Sequence, residues 1–172
     1  MSTTENRKIS VRVRVISFFA VLALLGIDQL IKYFVDLCLK NRPAVTVIRN
    51  VLQLNYLEND GAMMGFMGGK TALMTTLAVI CVAVMLVVIF SGLIKDRVDY
   101  WCCLFMIAGG LGNIIDRAFR GYVIDYIEVL FVDFYIFNFA DCLITVAAFV
   151  LIFYQLFLTA KENKRKKAGD NP

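Results

Sequence analysis

With 172 residues, 60% of them hydrophobic, and a mean hydropathy of +0.73, the chain is too apolar for a soluble domain of its size; the excess points to membrane spans. It contains no histidine, which excludes a Ser-His-Asp or Cys-His nucleophile and a His-ligated zinc site, so acid–base work must fall to carboxylates, lysine or tyrosine. The net charge of +4 is gathered in clusters beside apolar runs, a topology signal that suggests no nucleic-acid partner.

The first apolar run, residues 15–37, is interrupted only by Asp28, Gln29, Lys32 and Asp36. Arg7, Lys8, Arg12 and Arg14 precede it, as in a signal peptide. The run nevertheless continues for about 23 residues with no small-x-small site after it, and it reads as a retained first helix. Residues 38–70 are too long for a simple turn. The stretch from Ala44 to Leu57 is β-branched and partly alternating, which predicts short strands. Glycines 61, 65, 68 and 69 then predict turns, while Met64, Phe66 and Met67 are greasy enough to dip into a membrane interface. A small sheet followed by an interfacial loop or helix is expected.

The second run, residues 71–94, carries no charge. The third, about 100–118, reaches the roughly 20 residues of a span only by continuing past Asp116. Inside it, Ala108-Gly109-Gly110-Leu111-Gly112 suits close helix packing, or backbone making room for a substrate. The fourth, about 137–159, holds Asn138, Asp141 and Gln155, and a solvated basic tail occupies 160–172. Cys38, Cys81, Cys102, Cys103 and Cys142 are odd in number, lack C-x-x-C spacing, and read as small buried hydrophobes. The fold class is therefore an all-α membrane protein of four transmembrane helices with a small extracytoplasmic β-sheet, forming a single domain.

Basic residues orient it. Those before the first run, Lys95 and Arg97 between the second and third, and Lys161, Lys164, Arg165, Lys166 and Lys167 after the fourth outnumber Lys40, Arg42, Arg49, Lys70, Arg117 and Arg120 on the other side. The positive-inside rule places both termini in the cytoplasm. Asp28 then lies on the outer half of helix one, Asp116 about 25 Å along helix three, Asp125 in the short outer connection, and Asn138 and Asp141 in the first turn of helix four. Carboxylates thus converge near the extracytoplasmic interface, and an acid at membrane depth is by default a functional-site hypothesis.

Several of these acids have a plainer reading. Asp28 and Lys32 form an i, i+4 pair that neutralises itself. Asp116 with Arg117 and Arg120 reads as an interfacial salt-bridge set, and Glu128 and Asp133 as solvated loop charges. Asp141, one helical turn from Asn138 in an apolar helix, is harder to explain away, although a helix N-terminus favours an anion. Two carboxylates about 3 Å apart share a proton, and such a pair hydrolyses peptides without a metal: one activates water, the other polarises the carbonyl. Proton or cation translocation needs the same residue types.

These residues resemble a known family over nearly the whole chain. Asp28-Gln29-Leu30-Ile31-Lys32, Asn59-Asp60-Gly61-Ala62, Gly112-Asn113-Ile114-Ile115-Asp116-Arg117, Gly121-Tyr122-Val123-Ile124-Asp125-Tyr126 and Phe137-Asn138-Phe139-Ala140-Asp141 look like the motifs of the bacterial lipoprotein signal peptidases, or signal peptidase II, which are intramembrane aspartic proteases. The resemblance implies cleavage of prolipoprotein signal peptides on the amino side of a diacylglyceryl-modified cysteine, in the bacterial cytoplasmic membrane. It implies Asp125 and Asp141 as the catalytic dyad, a choice over Asp116 that spacing alone does not make. Asn59, Gly61, Asn113, Asp116, Arg117 and Asn138 would hold site and substrate, with Asp28 and Lys32 in support. Membrane lipid and lipid-modified prolipoproteins are the expected partners, with no metal or cofactor and a monomeric enzyme. The chain departs from the family pattern at Met63-Met64 and at Ala108-Gly109-Gly110-Leu111, positions that bear on the substrate groove rather than the reaction. The rival readings are a small proton- or cation-coupled transporter and a non-catalytic scaffold. Against transport, the chain shows no internal repeat and its acids gather at one surface.

Overall fold

A computed structural model describes residues 9–61 and 71–167. The interfacial segment expected around Met64, Phe66 and Met67, and the end of the basic tail, lie outside the described residues. Helix α1 (Val11–Leu39) starts at Ser10, whose hydroxyl accepts from Val13 N–H at 3.4 Å. It stops just before Pro43, where Asn41 adopts a positive φ of 60°. Strands β1 (Val45–Ile48) and β2 (Leu52–Asn59) form an antiparallel hairpin turned through Asn50, also at positive φ. Helix α2 (Thr71–Phe90) follows.

Helix α3 (Arg97–Arg120) is capped by Asp96, which accepts from Val98 N–H at 2.7 Å. It does continue past Asp116, and ends where Gly121 turns left-handed at φ 83°, its N–H bonded to Arg117 O at 3.2 Å. Helix α4 (Phe139–Lys167) closes the bundle. All four helices are long and apolar enough to cross a membrane. Helix α3 packs against the other three and is the most buried. Phe18, Phe19, Val87, Phe90, Phe149, Phe153 and Phe157 point outward, as surfaces facing lipid would.

The four helices and the small antiparallel sheet are as the sequence predicts, with one difference. The α3–α4 connection is not a plain loop: residues Val123–Val129 form a third strand, β3, antiparallel to β2, in the order β1-β2-β3. Val123, Ile124, Tyr126, Ile127 and Val129 are good strand formers, and β2 supplies the edge they need. Phe137 extends the pairing through two bonds to Ile127 of 2.8 and 3.0 Å. Ile124 and Tyr126 pack on Val35 and Leu39 at the end of α1, fixing the sheet to the helices. Asp125 therefore sits on a strand wedged against the bundle, opposite Leu57 of β2.

Candidate active site

Two polar clusters meet at the sheet end of the bundle. In the first, Lys32 of α1 is wholly buried, with its Nζ 2.9 Å from both Asp28 and Asp116. A lone buried ammonium would be very costly; flanked by two carboxylates it is neutralised in place. The expected i, i+4 pair forms, and Asp116 joins it from α3. Asp116 was expected to pair with Arg117 and Arg120. Arg120 does approach, at 3.7 Å, but Arg117, the next residue along the helix, makes no ion pair with Asp116. Gln29 completes the cluster, its amide N–H groups within reach of Asp28 Oδ2 (3.2 Å), Asp116 Oδ1 (3.2 Å) and Gly112 O (3.3 Å). Gln29 is not among the site residues expected from the sequence, although it is an amide within an apolar run and stands in the Asp28-Gln29-Leu30-Ile31-Lys32 motif.

In the second cluster the acids meet amides instead of cations. Asp125 accepts from Asn138 Nδ2 at 2.6 Å and from Asn59 Nδ2 at 2.7 Å. Asp141 accepts from Asn113 Nδ2 at 2.8 Å and from the Asn138 backbone N–H at 3.1 Å. Neither acid has a cationic partner within 4 Å among the described residues. Asn138 reaches both carboxyl groups, one through its side chain and the other through its backbone.

The direction of each amide follows from its other bonds. Gly61 N–H donates to Asn59 Oδ1 at 3.2 Å, leaving the Asn59 NH₂ for Asp125. Asp141 N–H donates to Asn138 Oδ1 at 3.0 Å, leaving the Asn138 NH₂ for Asp125 and for Asn113 Oδ1 (3.2 Å). Asn113 Oδ1 also accepts from Lys32 at 3.0 Å, so its NH₂ faces Asp141. Every amide is used at both ends. Asp125 is almost fully buried, and burial with the nearby charge of Asp141 pushes its carboxyl up to about 6, despite its amide donors.

The glycines of α3 serve packing. A Cβ on Gly109 would strike the backbone oxygen of Ala140 on α4. One on Gly110 would lie 2.8 Å from Val82 of α2, and one on Gly112 2.6 Å from Asp28 Oδ2. Their bare faces thus admit three different helices, and one of them lets the buried acid of α1 approach.

Of the sequence-derived candidates, Asp28, Lys32, Asn59, Gly61, Asn113, Asp116, Asp125, Asn138 and Asp141 come together in this network. Arg117 makes no bond within this network, although it lies within reach of the charges of Asp125 and Asp141: it is half-buried, and its Nε has no hydrogen-bond partner among the described residues. Glu128, expected as a solvated charge, accepts from Gln53 and Asn55 across the sheet at 2.6 and 2.8 Å.

Residues 20–157 match the family model described as signal peptidase (SPase) II. The lipoprotein signal peptidase of Streptococcus thermophilus (strain CNRZ 1066) is 34% identical over 144 residues, covering 84% of this chain and 92% of that protein. That of Enterococcus faecalis (strain ATCC 700802 / V583) is 34% identical over 163 residues, covering 93% and 99%. The fold also matches a bacterial membrane enzyme solved by the in meso method, with a TM-score of 0.78 and 24% identity over 91% of this chain and 94% of that one. This chain belongs to the signal peptidase II family and is a membrane peptidase.

Proposed function

We propose that the protein is an aspartic endopeptidase that removes signal peptides from prolipoproteins, cutting on the amino side of a diacylglyceryl-modified cysteine. The names of its relatives support the substrate. One observation carries the mechanism: among the four clustered acids, Asp28 and Asp116 are neutralised by Lys32, whereas Asp125 and Asp141 are held by neutral amides. Ion-paired carboxylates are locked in a structural role, while amide-held ones stay free to gain and lose protons.

Asp125, raised to about 6 by burial, holds the shared proton and donates it in a hydrogen bond to the scissile carbonyl oxygen. Asp141 takes a proton from water as the water oxygen bonds to the carbonyl carbon. The tetrahedral intermediate then collapses. The C–N bond breaks, the amine leaves with the proton Asp141 had taken, and the dyad again holds one proton. Arg117, with a buried N–H unpartnered among the described residues, suits a substrate backbone carbonyl. A lipid-anchored cysteine supplies positioning by tethering, because its diacylglyceryl group holds the bond at the membrane surface.

The chain works as a single-domain monomer in the bacterial cytoplasmic membrane, with spans near 15–37, 71–94, 100–118 and 137–159. Both termini are cytoplasmic, and the acids lie at the outer interface. The test is purified protein with a diacylglyceryl-modified precursor. Wild type is expected to cleave before the modified cysteine with chelator present, and Asp125→Asn and Asp141→Asn to be folded and inactive. Cleavage surviving both substitutions excludes this dyad; ion flux in liposomes without cleavage favours transport.

A further inference from the structure

At the end of the bundle away from the acids, a cavity of about 640 Å³ opens between the starts of α1 and α3 and the end of α2. That size falls within the roughly 300–1,000 Å³ of built ligand sites. Phe18, Val21, Leu86, Leu104, Ile107 and Leu111 line it, and Arg14 and Lys95 stand at its charged end. Along α3 its lining runs from Tyr100 to Leu111. The eleven helical steps between them rise about 16 Å, or half of the roughly 30 Å hydrocarbon thickness of a bilayer. The slot is greasy, one leaflet deep and cationic at one end.

The polar groups in its wall are already satisfied. The hydroxyls of Ser17 and Tyr100 lie 2.8 Å apart, and Ser17 donates to Arg14 O at 3.0 Å. An acyl chain would therefore strand no donor there. The two cations, by contrast, have no ion pair among the described residues. Asp96, next to Lys95, and Asp99, one helical turn on, are engaged elsewhere. Asp96 accepts from Val98 N–H and Tyr154, and Asp99 accepts from Gln155.

We propose that this cavity binds an anionic glycerophospholipid, with one acyl chain in the slot and the phosphate between Arg14 and Lys95. A zwitterionic headgroup brings a cation of its own to those side chains, and the chain's amino-terminal residues bring Arg7 and Lys8 against a single acid, Glu5, so both are disfavoured by charge. The site does not depend on the reaction proposed above.

Native mass spectrometry of the full-length protein tests this. The protein is released from mild detergent after equilibration with equimolar phosphatidylglycerol and phosphatidylcholine of identical acyl chains. Wild type is expected to retain one phosphatidylglycerol with roughly tenfold preference, which the Arg14→Gln/Lys95→Gln pair abolishes. Ile107→Trp, which fills the slot, is expected to reduce retention of both lipids, while Arg49→Gln in the distant hairpin changes nothing. Thermal unfolding in the same detergent checks that each variant is folded, and the surface Gln pair stands alone as a test if Ile107→Trp is not. Equal retention of the two lipids, a preference that survives the double substitution, or a slot holding no stoichiometric lipid overturns the proposal.

Discussion

Lys32 donates to Asn113 Oδ1 at 3.0 Å, and that bond, with a second from Asn138 Nδ2 at 3.2 Å, turns the NH₂ end of the Asn113 amide to Asp141. The ion cluster and the amide-held acids are thus one construction. A lysine neutralised by Asp28 and Asp116 helps set the orientation of an amide, and that amide in turn holds a candidate catalytic carboxylate without giving it a charge partner.

Lys32→Met separates the two roles. It leaves Asp28 and Asp116 buried together without the cation they share, a loss on the order of 3–5 kcal/mol, and it removes one of the two donors, the other being Asn138 Nδ2, that hold Asn113 Oδ1. Adding Asp28→Asn removes one of the stranded charges, so stability returns in part while the Asn113 anchor stays missing. Unfolding and cleavage measured on both variants should diverge, with partial recovery of stability and none of kcat. Full recovery of activity in the double variant would show that Lys32 does not act through Asn113.

Asp125 has a signature in pH. Its folded value of about 6 lies above the ordinary 3.8, so between those two values the unfolded chain has released this proton while the native protein keeps it. Stability from this group is therefore present at low pH and is lost as pH rises through about 6, by about 2–3 kcal/mol in all. Asp125→Asn should lack that step while remaining inactive. The difference in stability between wild type and variant, followed by SDS or thermal unfolding from pH 4 to 7.5, is expected to shift in favour of the variant as pH rises. A constant difference would mean that Asp125 titrates normally.

Asn138 bonds to both acids, so two substitutions at this one residue should differ in kind. Asn138→Ala keeps the backbone donor to Asp141 but removes the side-chain donors to Asp125 and Asn113 and leaves Asp141 N–H without its acceptor, and is expected to lower kcat by about 10²–10³ and cost about 1–3 kcal/mol. Asn138→Asp keeps the shape but sets a third carboxylate beside the pair. Its defect should deepen as pH rises, because ionising all three is progressively harder. A pH-independent defect in Asn138→Asp would argue that Asn138 only supports the fold.

The four helices and the unusual acids were legible because both are local signals: long apolar runs, and charges standing within them. What escaped was whatever depends on a distant partner. Strand β3 is a short stretch with two acids in it, and only the edge of β2 makes it a strand. Asp116 has two arginines close by in sequence, yet its nearest cation is Lys32 of another helix. Gln29, though part of the first-helix motif, is not among the expected site residues because consecutive helical residues normally diverge; here a long, flexible amide reaches back to Asp28. The direction of each asparagine is likewise invisible in sequence, since it is set by Gly61, Lys32 and the backbone of Asp141.

Glycine-to-alanine substitutions grade the helix contacts by what lies opposite. At Gly26 a Cβ meets nothing within 4 Å, so alanine should be neutral or slightly stabilising through helix propensity. At Gly110 it meets the end of the Val82 side chain at 2.8 Å, a contact that a rotamer change relieves in part. At Gly112 it meets Asp28 Oδ2 at 2.6 Å, and that oxygen is also 2.9 Å from Lys32. Asp28 cannot withdraw without loosening the ion cluster, so about 1–3 kcal/mol should be lost, and cleavage should fall with it as Lys32 shifts from Asn113. At Gly109 the obstacle is the Ala140 backbone, which has no rotamer to change, and this variant should be the least stable. The expected order of unfolding midpoints is Gly26→Ala, then Gly110→Ala, Gly112→Ala and Gly109→Ala. Gly112→Ala alone should lose more activity than its stability accounts for. Were Gly112→Ala as active as Gly110→Ala at matched stability, the ion cluster would have no hold on the acids beside it.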